Sequence, residues 1–254
     1  MSLQNSMRGQ VCLVTGGVRG IGRAIALHLA ECGAIPVVTY RADDRAADET
    51  RAILTAIGKP DAPPPHVTRA DLQDAQAIKE LVAELGARYG RLDALINNAG
   101  QTFDGAFAAL SPDDYAPVLK TNLAGTIRLT LACVPLLREA RGTVVNISSL
   151  AGVTGKEGQV VYSTTKAGLN GFTRLLARQL GKDQIRVNAV APGFIRTDMV
   201  AALPEKTYAH ILHATALGCM GEPEDVARSV AFLASRDSSY VNGTVLRIDG
   251  GFQK

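Results

Sequence analysis

Tyr162 and Lys166 stand four residues apart in a segment that reads Tyr-Ser-Thr-Thr-Lys. On a helix, residues i and i+4 share one face, so the phenol and the ammonium would lie side by side. The cation favours phenolate and moves the pKa of the phenol, ordinarily about 10, toward neutrality, where tyrosine can exchange a proton with a substrate. Alone, such a pair is more typical of a solvated helix face, because the spacing also arises by chance. It predicts a proton donor only if other elements build a site around it.

Short apolar runs alternate with longer segments of helical periodicity along the chain. The runs expected to form strands are 11–15, 35–40, 66–70, 92–97, 143–148, 185–191 and 244–249. The segments expected to form helices are 21–33, 43–57, 74–89, 111–139, 160–180 and 222–235. The prolines of 59–65 indicate a loop between a helix and a strand, because the alternation continues across them. The pattern predicts one α/β domain over 1–254: a Rossmann-type, doubly wound parallel sheet of about seven strands with helices on both faces.

A glycine-rich turn joins the first predicted strand to the first helix. Residues 15–22 read Thr-Gly-Gly-Val-Arg-Gly-Ile-Gly. Glycines let the backbone turn tightly and approach a pyrophosphate, and the following helix N-terminus offers free N–H groups to the anion. The turn therefore predicts a dinucleotide site; the alternative is a tight turn that binds no ligand.

The end of the second strand indicates which dinucleotide the chain prefers. An NAD site usually has an acid there, which binds the ribose 2′-hydroxyl. Here the strand ends in Tyr40 and Arg41, and Asp43 and Asp44 come later, where they are better placed to begin a helix. Arg41 could meet a 2′-phosphate together with Arg19 of the glycine loop. The sequence favours NADP(H); the alternative is that Arg41 is an ordinary surface arginine.

Composition argues against several other function classes. The net charge of +3 is small and scattered, so nucleic-acid binding is not expected. Residues 1–10 lack an apolar signal core, and no apolar run reaches the length of about 18 that a membrane helix needs. The four cysteines are far apart and show no metal-ligand spacing, so we expect small buried side chains, no metal site and a cytoplasmic protein. They are Cys12, Cys32, Cys133 and Cys219.

Further motifs follow the later strands in chain order. They are Asp71-Leu72, Asn-Asn-Ala-Gly at 97–100, Asn122 within a predicted helix, Ser149 thirteen residues before Tyr162, and Pro192-Gly193. Together with the glycine loop and the Tyr-Lys pair, they resemble the classical short-chain dehydrogenase/reductase family over nearly the whole chain. Within that family, segments 165–172, 190–199 and 240–251 most resemble 3-oxoacyl-acyl carrier protein reductases. Sugar, steroid and xenobiotic carbonyl reductases share much of the same sequence.

The resemblance implies roles for four catalytic residues in the reduction of a carbonyl group. Tyr162 would donate the proton, and Lys166 would lower the tyrosine pKa and bind the nicotinamide ribose. Ser149 would hydrogen-bond the substrate oxygen; Ser148 is a competitor that the spacing to Tyr162 disfavours. Asn122 would hold a water that links Lys166 to solvent. The alternatives are a turn hydroxyl at Ser149 and a solvent-facing amide at Asn122.

The resemblance also implies a set of cofactor contacts. These are Gly16, Val18, Arg19, Gly20, Ile21, Gly22, Tyr40, Arg41, Asp71, Leu72, Asn98, Ala99, Gly100, Tyr162, Lys166, Pro192, Gly193, Ile195 and Thr197. The nicotinamide would supply the hydride, since no side chain can.

Segment 194–220 is expected to cover the substrate. Its apolar residues suit an acyl or otherwise greasy substrate and include Met199, Val200, Leu203, Ile211, Leu212 and Met220. Other candidate pocket residues are Gln101, Thr102, Phe103, Val153 and Gln159. A basic patch for an acidic carrier protein is hypothesised at Arg138, Arg141, Arg174, Arg178 and Lys182. The resemblance further implies a homotetramer assembled through helices 113–138 and 160–180 and the last strand.

The sequence thus favours an NADPH-dependent reductase of 3-oxoacyl thioesters, with acyl carrier protein as a candidate carrier. One alternative is a dehydrogenase of another carbonyl or alcohol, such as a sugar, a steroid or a secondary metabolite. Another is a dinucleotide-binding scaffold without catalysis, which the presence of Ser149, Tyr162 and Lys166 disfavours.

Overall fold

The computed structural model describes residues 7–58, 65–197 and 204–253. Most of the predicted proline loop lies outside the described residues, as do Met199, Val200 and Leu203 of the predicted substrate cover. The described strands are β1 Val11–Val14, β2 Ile35–Tyr40, β3 His66–Arg69, β4 Ala94–Asn97, β5 Thr143–Ile147, β6 Arg186–Pro192 and β7 Val245–Ile248.

All of these strands run parallel in one sheet of order β3-β2-β1-β4-β5-β6-β7. Each neighbouring pair is in parallel register, and β1 pairs with β2 on one side and β4 on the other. The chain order therefore reverses direction beside β1. Ligands of open α/β sheets bind at such a reversal, outside the carboxyl ends of the strands. The predicted doubly wound parallel sheet is confirmed.

Helices cover both faces of the sheet. In the described residues they are α1 Gly20–Glu31, α2 Asp44–Ile57, α3 Ala75–Tyr89, α4 Pro112–Leu119, α5 Thr126–Ala140, α6 Ala151–Thr154, α7 Val160–Leu180, α8 Glu205–Ala214 and α9 Pro223–Ala234. One hydrophobic core lies between the sheet and α1, α2 and α9, and a second lies between the sheet and α3, α5 and α7. Successive strand residues enter opposite cores; Leu13 lies in the second and Val14 in the first, as the alternation of side chains along a strand requires.

The predicted helix 111–139 is the main element that the structure corrects. It begins as expected, with Ser111 and Asp114 forming a reciprocal cap and proline at the first helical position. It is then interrupted, because Lys120–Gly125 forms a wider π-helical turn between α4 and α5. Such widened turns are frequent at functional sites. Here the turn carries Asn122.

Smaller differences concern elements with weak sequence signals. The short helix α6 and the helix α8 were not predicted, because both are too short or too irregular for a clear periodic pattern. Cys12, Cys32 and Cys133 are buried free thiols as expected. The prediction was wrong for Cys219, which is exposed because it lies in the irregular segment between α8 and α9, outside both hydrophobic cores.

Candidate active site

The carboxyl ends of β1, β4, β5 and β6 meet at one edge of the sheet and bring the predicted motifs together. Thr15 follows β1 and makes the central contact. Its hydroxyl oxygen accepts hydrogen bonds from the backbone N–H groups of Asn98 and Ala99, both at 3.0 Å. The side chain of Asn98 returns the contact by donating to the carbonyl oxygens of Thr15 (2.9 Å) and Gly16 (3.0 Å). The loops after β1 and β4 therefore form one rigid unit.

The glycine loop depends on the absence of side chains at specific positions. Gly16 and Gly20 have φ of +63° and +52°, a left-handed conformation that glycine adopts without strain. A Cβ added to Gly22 would collide with the Gly16 carbonyl and with Nδ2 of Asn98. Helix α1 can therefore begin directly against the loop.

The N-terminus of α1 is available to an anion. Within the described residues, no side chain caps this end and its first turn contains no acid. Free N–H groups and the positive end of the helix dipole therefore remain for a phosphate. The loop fits a pyrophosphate, and Val18, Arg19 and Ile21 lie in it or at the first turn of α1.

At the end of β2, the acids near Arg41 are already engaged. Asp43 caps α2 by accepting a hydrogen bond from Ala46 N at 3.0 Å. Asp44 accepts one from the Tyr40 hydroxyl at 2.9 Å. Arg41 is exposed, as is Arg19. Both acids are therefore held by contacts within α2 and at the end of β2, and neither forms an ion pair with Arg41 in the described residues.

Tyr162 and Lys166 lie on one face of α7, as their spacing predicts. The ammonium nitrogen of Lys166 is 5.6 Å from the centroid of the Tyr162 ring. Lys166 is buried, with 4% of its surface exposed, and Nζ donates to the carbonyl oxygen of Ile147 at 2.7 Å. Desolvation lowers the pKa of Lys166 to about 8. The predicted lowering of the Tyr162 pKa by Lys166 is not seen in this structure, because desolvation raises that pKa. A hydrogen bond with the Ser149 hydroxyl opposes the rise.

The two serines after β5 have different partners. Ser148 is buried, and its hydroxyl donates to the carbonyl oxygen of Lys166 at 3.2 Å, which fastens α7 to the strand. Ser149 is only partly buried, and its hydroxyl interacts with the Tyr162 phenol through a hydrogen bond that lowers the phenol pKa. Its Oγ accepts a hydrogen bond from Ala151 N at 3.1 Å, and the hydroxyl proton remains free to donate. The geometry therefore favours Ser149 over Ser148 as the group that meets a substrate oxygen.

Asn122 is buried in the π-helical turn and does not face solvent. Its Oδ1 accepts a hydrogen bond from Gln101 N at 2.9 Å, while Nδ2 donates to Gln101 O at 2.8 Å. Nδ2 also donates to Thr165 Oγ1 at 3.2 Å, on the helix that carries Tyr162. The side chain thus ties the loop after β4 to α7.

The segment after β6 closes the far side of the crevice. Pro192 accepts a hydrogen bond from Leu150 N at 2.8 Å, and Gly193 packs closely against Asp249. Ile195 is buried and pairs with Gly221, while Thr197 lies close to Gly20 of the glycine loop. The segment after β6 and the glycine loop after β1 therefore border the same crevice.

Asp71 and Leu72 follow β3, one strand beyond β2. The Asp71 carboxylate accepts a hydrogen bond from Gln73 N at 2.9 Å, which fixes a tight turn. Leu72 is buried. Both residues therefore lie at the carboxyl edge of the sheet, on the side of β2 away from β1.

Comparison with known proteins identifies the family. A family model described as enoyl-(acyl carrier protein) reductase matches residues 16–253. The chain belongs to the short-chain dehydrogenase/reductase family. It is similar to the 3-oxoacyl-[acyl-carrier-protein] reductase of Thermotoga maritima, with 41% identity over 96% of this chain and 98% of the relative. It is likewise similar to the same-named reductase of Aquifex aeolicus, with 41% identity over 98% and 99% of the two chains. A human (3R)-3-hydroxyacyl-CoA dehydrogenase is 40% identical over 98% and 97%.

Membership of the short-chain dehydrogenase/reductase family makes the chain an oxidoreductase that uses a nicotinamide dinucleotide. Within 7–58, 65–197 and 204–253, no group of three or more His, Cys, Asp or Glu residues is arranged to hold a metal ion. In the same residues, no helix is both long and apolar enough to cross a bilayer.

Only some of the residues predicted to contact the substrate lie at the candidate active site. Gln101, Thr102 and Phe103 line a shallow pocket against the start of α4. Gln159 is buried immediately before α7, and Val153 is exposed on α6. Ile211 and Met220, expected to meet substrate, are instead buried in the fold.

The sequence missed Asp104 and the hydroxyl of Thr165. Asp104 accepts a 2.6 Å hydrogen bond from Gln159 Nε2 and raises the pKa of Tyr162. Its position just after the Asn-Asn-Ala-Gly segment, at the carboxyl end of a strand, was the available signal. The Thr165 hydroxyl accepts a hydrogen bond from Asn122 Nδ2 and donates one to the backbone carbonyl oxygen of Tyr162 at 2.7 Å. A threonine inside a helix carries little sequence signal.

The predicted basic patch lies away from the site within one protomer. Arg138, Arg178 and Lys182 border a shallow pocket with Asp183, and Arg138 forms an ion pair with Asp183 at 2.9 Å. Arg178 is sixteen residues beyond Tyr162 on α7, about 24 Å at the rise of an α-helix. The patch therefore occupies the opposite edge of the sheet, because α5 and α7 run antiparallel to the strands.

Proposed function

We propose that this short-chain dehydrogenase/reductase reduces the keto group of a 3-oxoacyl thioester to the 3-hydroxyacyl form, with NADPH as the cofactor. The observation that carries the proposal is the near-full-length similarity to reductases named for 3-oxoacyl-[acyl-carrier-protein] substrates. The convergence of Ser149, Tyr162 and Lys166 at the carboxyl edge of the sheet supports the same chemistry.

The protein residues of this mechanism handle the substrate oxygen and its proton. Ser149 donates a hydrogen bond to the carbonyl oxygen and stabilises the negative charge that develops on it. Tyr162 donates the proton to that oxygen as general acid. When bound, NADPH supplies the hydride.

Lys166 links proton transfer to cofactor binding. Its buried ammonium beside the Tyr162 ring stabilises the phenolate that remains after proton donation. The same group is placed to bind the nicotinamide ribose hydroxyls. Asn122 would hold a water that returns a proton toward Lys166 from solvent. Its Oδ1 and the Lys166 ammonium both border the space beside Gly100, where a Cβ would lie 3.4 Å from the former and 3.6 Å from the latter.

The cofactor is proposed as NADPH because Arg19 and Arg41 are exposed while Asp43 and Asp44 are engaged. The pyrophosphate would lie on the N-terminus of α1, against Gly16, Gly20 and Gly22. Asp71 and Leu72 would border adenine. The nicotinamide would lie between Asn98–Gly100 and Pro192–Thr197.

A second candidate is a substrate carried on coenzyme A instead of acyl carrier protein. The human relative, named for a 3-hydroxyacyl-CoA, is nearly as similar as the bacterial reductases. Both carriers present the acyl group through a thioester, so the proposed chemistry is the same. Only recognition of the carrier would differ.

We also propose a cytoplasmic homotetramer. Leu131 and Leu175 are 71% and 63% exposed on α5 and α7, an apolar surface that a second copy would cover. Tyr240 is fully exposed close to β7, which is an edge strand with one neighbour. The buried free thiols of Cys12, Cys32 and Cys133 suit a reducing compartment.

The test is to follow NADPH consumption with acetoacetyl-acyl carrier protein, acetoacetyl-CoA, a crotonyl thioester, and sugar and steroid ketones. We expect rapid consumption with the acetoacetyl thioesters and none with the crotonyl thioester. The higher kcat/KM of the two thioesters identifies the carrier. Reduction of the crotonyl thioester or of a sugar or steroid ketone, in preference to either acetoacetyl thioester, would overturn the proposal.

Tyr162→Phe is the matched catalytic control, because it keeps the ring and removes the acid. We expect kcat to fall by at least about a hundredfold while the dissociation constant of NADPH and the melting temperature change little. Normal turnover by a folded Tyr162→Phe protein would exclude the mechanism.

A further inference from the structure

Two loops that meet beside Tyr162 are joined by a buried amide and a carboxylate. Gln159, with 8% of its surface exposed, donates from Nε2 to Asp104 Oδ1 at 2.6 Å. A backbone bond runs in parallel, from Gly105 N to Gly158 O at 2.9 Å. The loop after β4 is therefore fixed to the segment that leads into α7.

This segment is itself continuous with the first turn of α7. Gln159 accepts a hydrogen bond from Ser163 N at 2.8 Å, and the Ser163 hydroxyl accepts one from Lys156 N at 3.2 Å. Tyr162 lies between these residues in that turn. Asp104 is therefore connected, through Gln159, to the first turn of the helix that carries the proton donor.

Several charged groups face Tyr162 or lie on the elements packed around it. Lys166 lies on the same helix, and Asp104 approaches from the loop after β4. Lys156 and Glu157 are exposed on the segment before α7, where Lys156 lies 5.7 Å above the Phe194 ring. Among these, Asp104 is the group whose negative charge raises the pKa of Tyr162, in addition to the effect of burial.

We propose that Asp104 is a positioning residue for the proton donor: through its hydrogen bond with Gln159 it fixes the start of α7 and holds a negative charge close to Tyr162. The proposal rests on the proposed role of Tyr162 as general acid. Its consequence is directional. Carbonyl reduction consumes a proton from Tyr162, so a protonated phenol is required at the start of each turnover. Asp104 extends the pH range over which that condition holds.

Two variants separate the effect of the negative charge of Asp104 from the effect of its hydrogen bond with Gln159. Asp104→Asn retains an oxygen that accepts from Gln159 and removes only the charge. We expect the basic limb of kcat/KM for reduction to move to lower pH, with little change on the plateau below it. Gln159→Leu retains the charge and removes the bond, so we expect a higher KM and lower kcat on the plateau. Glu157→Gln is the control, because it removes an exposed acid two residues from Gln159; we expect no shift.

A second readout does not depend on turnover. The chain has six tyrosines and no tryptophan, so tyrosinate absorbance can be followed without interference from indole. With NADP+ bound, subtracting the titration of Tyr162→Phe isolates the signal of Tyr162. In Asp104→Asn this signal should titrate at lower pH than in the wild type. An unchanged titration in a protein that melts normally would overturn the proposal, as would an equal shift in Glu157→Gln. If every thioester proved inert while the titration shifted, the proposed substrate would fail and the role of Asp104 would stand.

Discussion

Asn122 pairs with both backbone groups of Gln101 through the two ends of its side-chain amide. Oδ1 accepts from the Gln101 N–H at 2.9 Å, and Nδ2 donates to the Gln101 carbonyl at 2.8 Å. The pairing requires the wider turn at Lys120–Gly125, since that turn brings Asn122 toward the loop after β4. The π-helical turn therefore couples the substrate-side loop to the catalytic helix.

Asn122→Ala should disturb stability and catalysis together. The variant leaves the partly buried N–H and carbonyl of Gln101 without these partners, so we expect the free energy of unfolding to fall by about 1–2 kcal/mol. We also expect kcat to fall by about tenfold or more, because Thr165 and the loop lose their common anchor. Chemical denaturation and steady-state kinetics measure the two effects. A variant with wild-type kcat would contradict a functional role for this turn.

Gly100→Ala tests the proposed water site beside Asn122 and Lys166. The added methyl would lie at ordinary van der Waals distance from both side chains, so the protein should fold normally while the space for a water is filled. We expect kcat, measured at saturating NADPH because Gly100 also borders the proposed nicotinamide site, to fall by about tenfold with little change in melting temperature. Gly86→Ala, within α3 and 3.8 Å from Leu136, is the control and should leave kcat unchanged. Equal kcat in Gly100→Ala and the wild type would argue against a relay through this space.

Arg41→Ala should alter the choice between cofactors. Removing a charge-assisted contact to the 2′-phosphate should weaken NADPH binding by about ten- to a hundredfold, while NADH binding is unchanged. Arg45→Ala is the control, because Arg45 is exposed on the adjacent helix and pairs with Glu49. Dissociation constants from titration calorimetry provide the measurement. Equal weakening of NADPH and NADH by Arg41→Ala would show that Arg41 does not read the phosphate.

Lys166→Met should stabilise the cofactor-free protein while abolishing activity. Burial lowers the pKa of Lys166 from its ordinary 10.5 to about 8, so the folded state disfavours the ammonium that both states carry at neutral pH. Between the two pKa values the unfolded chain binds more protons, and the stability of the wild type therefore rises with pH in this window. We expect the variant's advantage, about 1–3 kcal/mol at pH 7, to shrink from pH 8 to 10.

Denaturation of both proteins across that pH range measures the difference directly, since the other titrating groups are common to both. An advantage that is absent at pH 7, or that grows with pH, would mean that the buried ammonium is compensated by neighbouring groups.

Much of this fold followed from local pattern. β2 and α7 have the predicted bounds, because an apolar run and a long amphipathic segment specify them without reference to distant residues. The amphipathic pattern did not predict the interruption within 111–139, because the pattern continues through it; only the family resemblance of Asn122 implied a break there. The burial of Ile211 and Met220 was likewise hidden, since an apolar residue in an irregular segment can face either substrate or core.

The sequence alone determined the sheet class, the glycine loop, and the spacing of Ser149, Tyr162 and Lys166, because each depends on residues that are adjacent or a few positions apart. The tertiary structure decided how these groups are supported. Asn122 meets Gln101 across 21 residues, and Asp104 meets Gln159 across 55. These pairs form because the loop after β4 packs against α7. The periodic pattern of the sequence does not predict that packing. The proton donor is therefore specified locally, while its environment is set by contacts between distant parts of the chain.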